Sequence, residues 1–218
     1  MRKGLTGNID KIICKVAEME VIKPYVLCGG TALSVQLDHR LSEDLDFMMW
    51  RESKKEKPEV KWPAIKSELE NKIGEIQNFD IYDFGQVEFV VSNVKFSFFV
   101  SNNYSPVAKT VPYLGNIRLA DINSILAMKL EVMFRRSKIR DYYDIYAILR
   151  EGYDIAEGIK TASNYSLHHF KTKNIVMSLL SDRFEEDINF NLLKPKFNVT
   201  KEEMRLFILR KLKDANLI

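Results

Sequence analysis

Two short stretches of the chain carry residue types that hold phosphate and metal. In the first, an apolar run from Tyr25 to Cys28 meets Gly29-Gly30 and then a segment of good helix formers, Thr31 to Leu37. Strand, glycine turn and helix in that order let a backbone approach a ligand closely, and the helix start offers unpaired amide donors to a phosphate. In the second, Asp44-Leu45-Asp46-Phe47, the alternation predicts a strand over 44–50 with both aspartates on one face and Leu45, Phe47 and Met49 on the other. Two carboxylates side by side can hold one or two Mg²⁺ ions, which favour carboxylate and substrate phosphate oxygens. Thr31 to Glu43 separates the stretches. A tight turn and a solvated strand face are the plainer readings of each alone; their order and interval together describe a site for a metal ion and a nucleoside triphosphate.

Further along, a helix is predicted from Asp121, and on it Ile122, Ile125, Leu126 and Met133 form one apolar stripe with Lys129 in its middle. A lysine on a buried stripe either snorkels outward or has a chemical task. Asp141 shares a helical face with Ile145 and Ile148, with Asp144 beside it, so a carboxylate points toward packing. Asp144 has Arg140 and Lys138 as local candidates for an ion pair, and Arg40 either reaches phosphate or caps the preceding helix. Arg135, Arg136, Lys138 and Arg140 form a basic cluster that suits RNA or triphosphate as well as solvent. His39, His168 and His169 have no Cys or acidic partners at metal-ligand spacing, which argues against zinc.

The glycine pair, the spacer and the Asp-x-Asp resemble the signature of polymerase-beta-type nucleotidyltransferases. The fuller run Gly29-Gly30-Thr31-Ala32-Leu33, His39-Arg40-Leu41-Ser42-Glu43-Asp44-Leu45-Asp46-Phe47, then Lys129 and Arg140-Asp141-Tyr142-Tyr143-Asp144-Ile145-Tyr146, is similar to the AbiEii/AbiGii toxin family over roughly residues 25 to 150. The resemblance implies a nucleotidyltransferase toxin paired with a cognate antitoxin in an abortive-infection or type IV toxin–antitoxin system, with tRNA 3′ ends as acceptor in some relatives. It also implies that Lys129 contacts triphosphate and that Asp141 or Asp144 supports substrate activation or the lysine. One departure stands out. Many relatives carry a third carboxylate on a later strand, where Lys95-Phe96-Ser97-Phe98-Phe99 offers Ser97; Glu88 and Asp141 are both candidates to replace it.

The reading that follows is a Mg²⁺-dependent enzyme that moves a nucleoside monophosphate from NTP to an acceptor. Asp44 and Asp46 are the metal ligands, with Gly29, Gly30, Thr31, Arg40 and Lys129 on the nucleotide and Lys129, Asp141 and Asp144 in catalysis. A catalytically silent member that binds NTP, RNA or a partner protein is the alternative, prompted by the missing carboxylate. A phosphatase of the haloacid-dehalogenase type would want Thr or Val where Met48 stands, and a sugar-nucleotide glycosyltransferase would not need Gly29-Gly30.

The elements that must position these groups fit an α+β protein. The 218 residues, 46% hydrophobic and 29% charged, are enough for a sizeable core, and the formal net charge of +3 does not by itself imply nucleic acid. Two cysteines, Cys14 and Cys28, suggest a reducing compartment. With no membrane span and no signal-peptide pattern after Met1-Arg2-Lys3, a cytoplasmic protein is expected. An amphipathic opening helix, a helix over 63–73 and a meander of three extended stretches over 79–84, 87–91 and 94–100 are predicted, with a charged linker over 52–61. Beyond residue 119 nearly everything reads as helix: 121–136, 140–150, 155–163, 170–181 and 201–213. This suggests a nucleotidyltransferase core over 1–118 with a small mixed sheet, and a helical domain over 119–218 closing the cleft.

Overall fold

The structure, a computed structural model, describes residues 1–51, 57–102, 105–136, 138–165, 171–181, 185 and 187–218. Much of the charged linker (Glu52 to Glu56), His168, His169 and the predicted helix start at Phe170 lie outside the described residues.

A single seven-stranded mixed sheet organises the first part of the chain, in the order β3-β4-β5-β2-β1-β7-β6. The strands are β1 (Val26–Cys28), β2 (Asp44–Trp50), β3 (Ile76–Asp83), β4 (Gln86–Val91), β5 (Val94–Ser101), β6 (Thr110–Leu114) and β7 (Ile117–Ala120). β3, β4 and β5 form the predicted antiparallel meander, which joins β2 through the parallel β2–β5 pair. β1 runs antiparallel to β2 and parallel to β7, so the short apolar run at 26–28 is enclosed on both sides.

Alternation along β2, β5 and β4 sends one set of side chains to a dry core and the other to the opposite face. Leu45, Phe47, Phe96, Phe98, Val87 and Phe89 are buried. Phe98 meets Phe47 (ring centroids 5.2 Å apart), Tyr25 (5.3 Å) and Phe89 (6.2 Å), and each such aromatic contact adds about 0.5–1.5 kcal/mol beyond area burial. On the other face, Asp44 and Asp46 of β2, Lys95 and Ser97 of β5, and Glu88 of β4 remain half-buried.

The helices preceding and within the sheet region are α1 (Gly7–Ala17), α2 (Gly29–Leu37) and α3 (Trp62–Lys72). No separate turn intervenes between β1 and α2: Cys28 is the N-cap and the glycines are the first helical residues. After β7 the elements are helical: α4 (Ile122–Arg135), α5 (Ile139–Arg150), α6 (Ile155–Tyr165), α7 (Thr172–Leu179), a 3-10 turn over Phe190–Leu193 and α8 (Lys201–Asp214). Asp121 caps α4 by accepting from the Ser124 amide at 3.1 Å, and Thr200 with Glu203 forms a capping box on α8. α4 packs against α5, α6 and α7, and α2 lies between the sheet and α4 and α5. Among the described residues no helix is long and apolar enough to cross a membrane.

Candidate active site

The register of the sheet aligns the candidate chemistry. Asp46 stands opposite Ser97 across β2 and β5, and Ser97 opposite Glu88 across β5 and β4; Asp44 stands opposite Lys95. On the far side of β2, Asp46 is opposite Cys28, the residue before the glycines. This sheet face and the helices α4 and α5 enclose a cleft of about 540 Å³, lined among others by Gly29, Gly30, Asp44, Asp46, Lys129 and Asp141.

Gly29 is required by its backbone, and Gly30 by close approach to a buried side chain. Gly29 has φ +66°, and a Cβ there would fall 2.5 Å from Asp46 Oδ2; a Cβ on Gly30 would fall 2.5 Å from Arg40 Nη2. The bare backbone at the start of α2 thus lies directly against the Asp46 carboxylate and the Arg40 guanidinium. Burial, reinforced by the charge of Asp44, raises the pKa of Asp46. Two carboxylates that crowd each other in this way suit a divalent cation, and the hard oxygen donors fit Mg²⁺. Among the described residues no group of three or more His, Cys, Asp or Glu is placed to hold a metal, so an ion at Asp44 and Asp46 would take its remaining ligands from substrate and water.

The opposite wall is a buried ion network. Lys129 Nζ lies 2.6 Å from Asp141 Oδ1 and 2.7 Å from Asp144 Oδ2. Arg40 donates to Asp144 through both Nε (2.7 Å) and Nη2 (2.9 Å), and His39 Nε2 is 2.8 Å from Asp144 Oδ1. Arg136 Nε donates to Asp141 Oδ2 at 3.1 Å. Asp141 and Asp144 are fully buried. Burial works to raise the pKa of Asp144, but Arg40, Lys129 and His39 outweigh it and hold the carboxyl well below the usual range. Asp141 is lowered likewise by Lys129 and Arg136 against burial, and Lys129 stays a firm cation because its two aspartates overcome desolvation.

Several predicted residues thus meet in one cleft in altered roles. Asp144 is paired with Arg40, Lys129 and His39 and with neither local candidate; Arg140 binds Asp187 (2.6 Å) and Glu43 (3.5 Å). Asp141 has both oxygens occupied by cations, which leaves it unsuited to replace the third carboxylate. Glu88 lies on the correct face but one strand farther from Asp46 than Ser97. The Thr31 hydroxyl donates to the Asp44 carbonyl and accepts from the Ser42 hydroxyl (2.8 Å), tying α2 to the start of β2. In the basic cluster, Arg135 pairs with Glu131 and Arg136 with Asp141, and Arg135, Arg136 and Arg140 line the cleft.

Two residues join the site without a role foreseen in sequence. His39 was without partners in sequence because its carboxylate, Asp144, is 105 residues away. Its ring stacks on Tyr143 at 5.9 Å, and the Tyr143 hydroxyl donates to the His39 carbonyl at 3.2 Å. Lys95 is the register partner of Asp44, which the odd-numbered positions of the β5 alternation foreshadow.

Comparison with known proteins bears on this geometry. The profile of the family described as Nucleotidyl transferase AbiEii toxin, Type IV TA system, matches residues 19–215. An uncharacterized protein of Aquifex aeolicus (strain VF5) is 25% identical over 206 residues, 92% of each chain. The nucleotidyltransferase toxin MenT4 of Mycobacterium tuberculosis H37Rv superposes with a TM-score of 0.57 at 14% identity, over 94% of this chain and 84% of that one. JHP933 from Helicobacter pylori superposes with a TM-score of 0.50 at 20% identity, over 96% and 92% respectively. At these identities the structural likeness establishes the fold.

Proposed function

From the premise that the chain belongs to the AbiEii family of nucleotidyltransferase toxins of type IV toxin–antitoxin systems, we propose that it transfers a nucleoside monophosphate from a Mg²⁺-bound NTP to an acceptor hydroxyl within this cleft. The observation that carries the reading is the pair Asp44 and Asp46 on one strand, facing the cleft, with the glycine-led start of α2 against Asp46 and the buried cation Lys129 across from them.

The backbone amides at Gly29 and Gly30 are suited to phosphate oxygens, since the N-terminal end of a helix carries unpaired donors and positive potential. Asp44 and Asp46 would hold Mg²⁺, which supplies neutralisation of phosphate charge and a lowered pKa for the attacking hydroxyl. Lys129, kept cationic and oriented by Asp141 and Asp144, faces negative charge that builds on the leaving phosphates. The acceptor oxygen bonds to the α-phosphorus, the α–β anhydride bond breaks, pyrophosphate leaves, and the hydroxyl proton passes to solvent. Residues 119–218 act as the helical lid of the site and 1–118 as its nucleotidyltransferase core.

RNA, in particular a tRNA 3′ end, is the acceptor we propose, supported by Arg135, Arg136 and Arg140 along the cleft. A cognate antitoxin restrains the activity in the cytoplasm. The test is incubation with α-labelled NTPs, Mg²⁺ and total tRNA. Label should pass to RNA and vanish in Asp44→Ala and Asp46→Ala; tight NTP binding without transfer to any acceptor would instead favour the silent reading.

A further inference from the structure

The sheet face that carries Asp44 also carries a cation. Lys95 Nζ lies 3.9 Å from Asp44 Oδ2 and 3.9 Å from Glu88 Oε1, between carboxylates of β2 and β4. Glu88 is itself fixed. Ser97 Oγ donates to its Oε1 at 3.3 Å and the Tyr82 hydroxyl to its Oε2 at 3.2 Å. The residue at the third-carboxylate position is therefore a neutral serine within hydrogen-bonding reach of both Asp46 and Glu88, and Glu88 in turn faces an ammonium.

Charge and ligand supply agree on what this favours. Asp44, Asp46 and Glu88 with Lys95 carry a formal charge of −2, which one divalent cation neutralises. A second divalent cation would lie beside the Lys95 ammonium and repel it. It would also want a third acidic ligand, and among the described residues none is grouped with Asp44 and Asp46. Arg135, Arg136 and Arg140 line the opposite wall, each already paired with a carboxylate, so they do not draw a second divalent cation either.

We propose that Lys95 supplies the second positive charge of the site, so that the protein binds one divalent cation per nucleotide, at Asp44 and Asp46, with the Lys95 ammonium lying between Asp44 and Glu88 in place of a second ion. This rests on the reading of the cleft as a metal–triphosphate site. Glu88 is thus a positioning residue for the lysine, not a metal ligand.

The test counts ions. Mn²⁺ is titrated into the purified full chain with a nucleoside triphosphate analogue bridged by methylene between α and β phosphorus, and free Mn²⁺ is read by its paramagnetic resonance signal. The parent and Lys95→Arg should each bind one Mn²⁺ per chain. Lys95→Ala should bind a second, at least about tenfold tighter than any second ion in the parent, because a like charge has been removed from its surroundings. Two ions of comparable affinity in the parent, or an Ala variant that titrates like the parent, would overturn the role of Lys95 and leave the metal–triphosphate site standing. No Mn²⁺ bound by the parent even with the analogue would overturn both.

Discussion

Asp144→Ala is the substitution that most sharply separates a buried hub from an ordinary ion pair. The carboxylate accepts from Arg40 twice, from Lys129 and from His39, all within 2.9 Å, and it is fully buried. Its removal strands Arg40 with no other carboxylate at hydrogen-bonding distance among the described residues. Removing one partner of a buried charge pair costs about 3–5 kcal/mol, mostly from the uncompensated charge left behind. For a chain of this size each kcal/mol lowers Tm by about 2–4 °C, so a fall of about 6–20 °C is expected in calorimetry. Lys129→Met provides the internal control. It leaves Asp144 with Arg40 and Asp141 with Arg136, so its cost should be about 1–3 kcal/mol, although it removes the cleft's buried ammonium. The reasoning is refuted if urea unfolding places Asp144→Ala within 1 kcal/mol of the parent, a figure below the range for broken buried pairs, or if Lys129→Met proves the more damaging of the two.

Three other outcomes can be checked on the same preparations. Gly29→Ala should cost about 1–2 kcal/mol for its left-handed backbone, plus displacement of Asp46, and so weaken NTP binding, read by calorimetric titration. Thr31→Val should lower stability by about 0.5–1.5 kcal/mol by removing a donor from the half-buried Asp44 carbonyl, yet change NTP affinity less than about twofold, because its hydroxyl is turned to Asp44 and Ser42. Burial lowers the pKa of His39, and Arg40 and Lys129 add to this against the pull of Asp144, so the unfolded chain takes up that proton first. Stability should therefore be fully present above about pH 6.5 and fall as the medium is acidified below it, and His39→Gln should flatten the Tm profile in that window. An unchanged slope in the variant would rule this out. Asp141 and Asp144, lowered when folded, withdraw their contribution only further down, as pH falls below about 4.

What the sequence made legible was mostly local. The Asp-x-Asp alternation needs only period 2 to be read, and Lys129 announced itself as a charge on an apolar helical stripe. α4 and α8 carried their own caps, and α4 and α5 their periodicity. β6 and β7 were missed because each is short, and because β6 is half-exposed with Pro112 in an edge strand, where alternation is weak. The network around Asp144 was illegible for a different reason. His39 and Arg40 meet Asp144 across more than a hundred residues, and local spacing pointed to Arg140 and Lys138 instead. The clue available was Asp144 lying beside the packing face of its helix, which requires a partner without saying which. The partner of the Thr31 hydroxyl was equally out of reach of local spacing, because the chain reversal after α2 is what brings the Asp44 carbonyl to it.

The most direct trial of the account is a crystal structure of the chain with Mg²⁺ and a non-hydrolysable NTP. The account predicts a metal about 2.0–2.1 Å from oxygens of both Asp44 and Asp46, with phosphate oxygens on the amides at Gly29 and Gly30. A nucleotide bound elsewhere, or a cation that touches neither carboxylate, would contradict it.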